Sequence, residues 1–200
     1  MFSDKPTLEL LRDTRQKVRS MEIKTGERDK DGGREVLHMG SIDEAACSRI
    51  LRKIRDNPGK EVTLVLSSAG GLAFAAMAFY DLVRYVLRPK KFTVIGSARI
   101  YSAAVPVFMA GTRRVLTKHS SILFHQSKIP VPRDVGSVNL SELQEVFADM
   151  DSYYKFLGEI VECETEGKLV SAQVMRMKKA GRFLSPGQAL AFGIAHEVRG

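Results

Sequence analysis

Val62-Thr63-Leu64-Val65-Leu66-Ser67-Ser68-Ala69-Gly70-Gly71 is an apolar run that stops at paired glycines, and Ala73 to Leu87 follows it as a long helical stretch. A short continuous apolar run of this kind suits a parallel strand buried on both faces. Strand, tight turn and helix in succession form the unit from which α/β cores are built. Adjacent glycines at such a turn also let backbone N–H groups point at an oxyanion.

Working outward, Val36-Leu37-His38-Met39 predicts a short strand ending at Gly40. Ser41 with Glu44 predicts a capping box opening a helix, with Ala45, Ala46, Ile50, Leu51 and Ile54 on its apolar face and Asn57-Pro58-Gly59 as its stop. Further on, Phe92 to Ile95 predicts a strand ended by Gly96. Ala103 to Ala110 predicts a helix whose first turn Pro106 loosens. Val115-Leu116 and Ile122 to Phe124 predict short strands. A long helix is expected over about residues 139–167, starting at Asn139 or Ser141, with Leu143, Val146, Phe147, Met150, Tyr154, Leu157 and Ile160 at mostly helical spacing. Ser171 to Ala180 is another helix. Ser185-Pro186 reads as an N-cap and N1 pair opening Gly187 to Phe192, and Ile194 to Val198 as a last strand. Strands alternating with helices predict an α/β core with parallel strands. Residues 1–35 read as a polar arm in which Thr7 to Ser20 is compatible with a helix and Lys24 to Gly33 is a connector. The remainder, 36–200, reads as one domain.

With 200 residues, 44% hydrophobic and 27% charged, the chain has ordinary globular composition and enough length to bury a core. Cys47 and Cys163 form no CxxC pair or disulfide framework, which points to a reducing, cytoplasmic compartment. The charged N-terminus has no apolar signal segment, and no run of about 18 apolar residues exists, so neither secretion nor a membrane span is expected. The net charge of +8 concentrates in residues 82–133, which hold ten Lys/Arg and no Asp or Glu. Without a nucleic-acid motif or interleaved aromatics, this stretch reads as a solvated basic surface, or as surroundings that favour an anionic transition state or acidic substrates.

Two further residues join the glycine turn. Ser102, in Ile100-Tyr101-Ser102-Ala103-Ala104, opens a helix and is a candidate nucleophile. His125, at the end of an apolar strand, is a candidate base for its proton. Glycine turn, serine and histidine in this order fit acyl-transfer chemistry.

These blocks resemble the proteolytic subunit of the Clp protease (ClpP) family of self-compartmentalised serine peptidases. The family's strand–SPGG–helix block is matched by Leu64 to Gly71 followed by Met77-Ala78-Phe79-Tyr80-Asp81. Its nucleophile segment is matched by Ser102 to Gly111, its His-Gln strand by Ser121 to Gln126, and its Arg-Phe-Leu-Ser block by Arg182 to Ser185. The resemblance implies a ClpP/crotonase-type α/β spiral with an extended helical handle. It implies a serine endopeptidase with Ser102 as nucleophile, His125 as base and the N–H groups of Gly71 and Ala103 as oxyanion hole, without metal or cofactor. It implies stacked rings enclosing a chamber, an ATPase unfoldase as partner, and peptides or unfolded proteins as substrates. The chain departs from the pattern where the triad aspartate would stand, because Gly181 precedes Arg182. Asp134, Asp149 and Asp151 are the nearest later acids. Arg99-Ile100 reads as two extra residues before the nucleophile, Ala103-Ala104 stands where the family prefers Met-Gly, and Lys128 to Val138 replaces a glycine-rich handle strand. Three rival readings follow: a non-catalytic ring subunit, favoured by Gly181; a crotonase-type acyl-thioester enzyme, disfavoured by the Ser102/His125 pair; and a Ser–Lys dyad using Lys128.

Overall fold

In the computed structural model, which describes residues 34–126 and 140–200, β1 (Arg34–Met39), β2 (Glu61–Ser68), β3 (Phe92–Tyr101), β4 (Arg113–Thr117) and β7 (Glu197–Arg199) lie side by side in the order β1-β2-β3-β4-β7, all parallel. The quoted apolar run is the sheet's interior: Val62, Leu64 and Leu66 are buried, as is Thr63 on the opposite face of the pleat. β5 (Ser121–Phe124) adds to the far half of β3, and the short β6 (Arg182–Leu184) pairs with β5 as the one antiparallel ladder among the described residues. The α/β class with mostly parallel strands is the one expected.

The helices are α1 (Glu44–Asp56), α2 (Ala73–Asp81), α3 (Ala104–Met109), α4 (Leu140–Glu164), α5 (Ser171–Ala180) and α6 (Pro186–Ala191). The start of α1 differs from the sequence reading. Asp43, not Ser41, is the cap, and its carboxylate accepts the Ala46 N–H at 2.8 Å. α2 also departs from expectation, in its second half. It continues as a wider π-helical coil over Leu82–Leu87, closed by left-handed Arg88 (φ 43°). Ser185 does cap α6, accepting from the Gln188 N–H while Gln188 Oε1 accepts from Ser185 N–H. At the C-terminus the last strand is shorter than expected and begins at Glu197.

β3 is longer than expected, because Gly96 does not end it. A β-carbon there would lie 2.7 Å from Leu116 Cδ2 and 2.8 Å from Ile100 Cδ1, so glycine serves packing between strands. On β2 the register passes from Leu66 to Ser68 while β3 passes from Gly96 to Ile100, a bulge of two extra residues centred on left-handed Ala98 (φ 56°). Arg99-Ile100 thus belongs to the strand. Beyond the bulge β3 exchanges its neighbour β4 for β5.

The handle helix α4 divides along its length. Tyr153, Tyr154, Leu157, Ile160 and Val161 of its C-terminal half are buried in the domain core, whereas Val146 and Phe147 are exposed. Its end is tied down by Arg114 of β4, only 3% exposed, which donates to Glu164 Oε2 at 3.0 Å, to Glu164 O at 2.8 Å, and to the carbonyls of Ile194 and Gly193. Burial lowers the Arg114 pKa, opposed by the facing Glu164 carboxylate. Glu164 Oε1 accepts from Tyr80 Oη at 2.8 Å and from Arg84 Nε at 2.9 Å. No helix among the described residues is long and apolar enough to cross a membrane.

Candidate active site

The parallel strands β2 and β3 bring the quoted glycine turn and Ser102 to the same end of the sheet, beyond their C-terminal residues. Ser102 is the first of the two residues between β3 and α3, and it holds a left-handed backbone (φ 56°). That conformation strains any residue with a β-carbon, by about 1–2 kcal/mol. Strain of this kind persists only where neighbours over-determine it. Here the Ser102 N–H donates to Leu123 O at 3.0 Å, and Ser102 O accepts the Val105 N–H at 2.9 Å. The serine is thereby held at a sharp strand-to-helix turn with its side chain half-exposed.

Gly70 packs directly on this turn. A β-carbon on Gly70 (φ 111°) would lie 2.9 Å from Ser102 Cβ, 3.1 Å from Tyr101 O and 3.4 Å from Ala103 N, so only glycine fits. On its other side, a β-carbon on Gly71 would meet Ile42 O at 2.1 Å. Ile42 clamps the turn: its N–H donates to Gly70 O at 3.3 Å, and its carbonyl accepts the Leu72 N–H at 2.7 Å. Ser68 Oγ adds a brace by accepting the Gly70 N–H at 3.1 Å. The N–H groups of Gly71 and Ala103 are left without an acceptor among the described residues. Two unused donors beside a strained serine can receive negative charge developing on a carbonyl oxygen.

His125 follows β5, which is parallel to β3 with Tyr101 opposite Leu123, so it emerges beside the Ser102–Ala103 turn. Its Nδ1 lies 2.7 Å from Gln126 O. No hydrogen bond joins Ser102 Oγ to the ring. On the other side of β5, Ile122, Leu123 and Phe124 face Leu184, Phe183 and Arg182. The register ends at Phe124 and Arg182; just before Arg182, Gly181 caps α5 with φ 61° and has no atom within 4 Å of where its β-carbon would be. Asp149 and Asp151 are exposed on α4 and neither bonds to His125. Asp134 and Lys128 lie outside the described residues.

Of the other histidines, His196 Nδ1 accepts the Arg114 N–H at 3.2 Å. Burial, with Arg114 second, lowers its pKa. His119 sits in the turn between β4 and β5. Sequence reasoning did not find Ile42, Leu123 or Gln126, which act through backbone atoms that carry no residue signature. Ser68 was findable, because a serine two residues before a glycine is a common turn brace.

The Clp protease family model matches residues 33–200. The chain is 28% identical over 169 residues to the ATP-dependent Clp protease proteolytic subunit 1 of Protochlamydia amoebophila, covering 82% of this chain and 80% of that protein. It is 29% identical over 103 residues to the protein of the same name from Chlamydia pneumoniae, covering 50% of this chain and 54% of that one. The match takes in every described strand and helix, and the chain is therefore a divergent member of the Clp protease family.

Proposed function

We propose that the chain is a serine endopeptidase in which Ser102, His125, Gly71 and Ala103 form the catalytic centre. The observation that carries this reading is the fit of Gly70 against strained Ser102, with the Gly71 and Ala103 N–H groups unused beside it. Ser102 Oγ attacks the scissile carbonyl carbon while its proton passes to His125 Nε2. The carbonyl oxygen, now negative, is held by the two N–H groups. His125 returns the proton to the leaving amine as the C–N bond breaks. Water then attacks the acyl ester by the same route, releasing the acid and restoring Ser102.

Assembly into stacked rings around a chamber, with an ATPase unfoldase feeding unfolded protein, is the arrangement that family membership supports. Val146 and Phe147, exposed on the handle helix, suit a subunit contact. The free thiols Cys47 and Cys163 fit a reducing, cytoplasmic setting. Gly181, a glycine just before Arg182 where a triad carboxylate is expected, favours one alternative, a ring subunit that folds alike but turns over little. A fluorophosphonate probe separates the two. An adduct mapped to Ser102 and lost in Ser102→Ala supports the peptidase, and no adduct under conditions that label an active relative overturns it.

A further inference from the structure

We propose that the backbone carbonyl of Gln126 does the orienting work for His125 that a carboxylate does in a Ser-His-Asp triad. This rests on the peptidase reading of Ser102 and His125. His125 Nδ1 lies 2.7 Å from Gln126 O. A peptide carbonyl has no proton to give, so this contact is a hydrogen bond only when Nδ1 carries the proton. The lone pair is then on Nε2, which is the state a base needs to accept a proton from Ser102. The place where a carboxylate would stand is empty of one. Gly181 stands just before Arg182, the last residue of the β5–β6 register, nothing lies within 4 Å of where its β-carbon would be, and no described acid bonds to the ring.

The chemistry of the acceptor sets the consequence. When a triad aspartate becomes asparagine, turnover falls by about four orders of magnitude because the histidine takes the wrong tautomer. An asparagine amide can turn its N–H₂ toward the ring and impose that tautomer. A peptide carbonyl can only accept, so it imposes the productive one. It provides a dipole where a carboxylate provides a full charge, and bonds to charged acceptors are roughly twice as strong. The imidazolium formed during attack is therefore held less well. Gln126 is a positioning residue in this scheme, acting through its main chain.

The test is ¹⁵N NMR of the intact protein labelled at histidine, with the His125 signals assigned by their loss in His125→Gln and read at a pH where the ring is neutral. The expected result is a pyrrole-type Nδ1 and a pyridine-type Nε2. Replacing the amide between Gln126 and Ser127 by an ester weakens Gln126 O as an acceptor. That change should raise the Nε2–H fraction and slow fluorophosphonate labelling of Ser102 about fivefold to tenfold, the loss of one ordinary hydrogen bond. A purely structural role for this carbonyl would lower stability without moving the tautomer. A ring that is predominantly Nε2–H in the unmodified protein overturns the proposal, and if Ser102 still labels, the peptidase reading survives it. An Nδ1–H ring beside an unreactive Ser102 supports the tautomer assignment and overturns the peptidase reading.

Discussion

Phe124 is paired with Arg182 across the antiparallel β5–β6 ladder, and each is followed or preceded by a residue that matters to the site: His125 after Phe124, Gly181 before Arg182. Residues opposite one another on such a ladder have β-carbons about 5 Å apart. Positions 125 and 181 each lie one residue beyond the last pair of that ladder, and this chain supplies no side chain at 181.

Gly181→Asp should therefore raise peptidase turnover by giving His125 a charged partner. The position is left-handed (φ 61°, ψ 46°) with open space around it, so the substitution should destabilise the fold by only about 1 kcal/mol. Turnover on a small peptide, measured with thermal melting, checks this. Unchanged turnover in a folded variant would mean that a carboxylate adds nothing there.

Gly70→Ala should slow acylation of Ser102 by about a hundredfold. Its methyl group would press on Ser102 Cβ at 2.9 Å and on Tyr101 O at 3.1 Å, moving the nucleophile off its strained backbone. A misplacement of about 1 Å near reacting atoms costs about a hundredfold in rate. Fluorophosphonate labelling rates, with circular dichroism as a check on folding, decide it.

Phe147→Glu should weaken subunit assembly while leaving the domain folded, because Phe147 is 57% exposed whereas the core contacts of α4 begin at Met150. Native mass spectrometry of wild type and variant at micromolar concentration reads this. A wild-type monomer would remove the enclosed chamber from the proposed function.

Glu164→Ala should destabilise the domain by about 3–5 kcal/mol, since it leaves the Arg114 guanidinium buried without its counter-ion. It also strips the acceptor from Tyr80 Oη. Urea denaturation measures the loss. A change below about 1 kcal/mol would show that the surrounding carbonyls alone satisfy Arg114.

Stability should fall as pH drops below the ordinary histidine value of 6.5, with His196 contributing. Its folded pKa is lowered by burial and by Arg114, so the unfolded chain binds the proton first. The contribution is intact above 6.5 and is lost as pH falls through the folded value. His196→Asn, whose amide oxygen can also accept the Arg114 N–H, should flatten this slope. An identical slope in the variant would assign the effect elsewhere.

The quoted strand and glycine pair, the helix after it, and the order of Ser102 and His125 could be read from the chain because their signals are local. Apolar runs follow the backbone period, and paired glycines after such a run mark a tight turn, although the atoms that exclude side chains there, Ser102 Cβ and Ile42 O, come from distant segments. The site's remaining parts became visible only with distant segments in contact. The clamp by Ile42, the acceptance of the Ser102 N–H by Leu123 O and the capture of His125 by Gln126 O all use main-chain atoms that every residue carries. The β3 bulge reads as an insertion until β2 and β5 are seen alongside. Arg114 and Glu164, fifty positions apart, look like ordinary surface charges until folding removes both from water and leaves each as the other's partner.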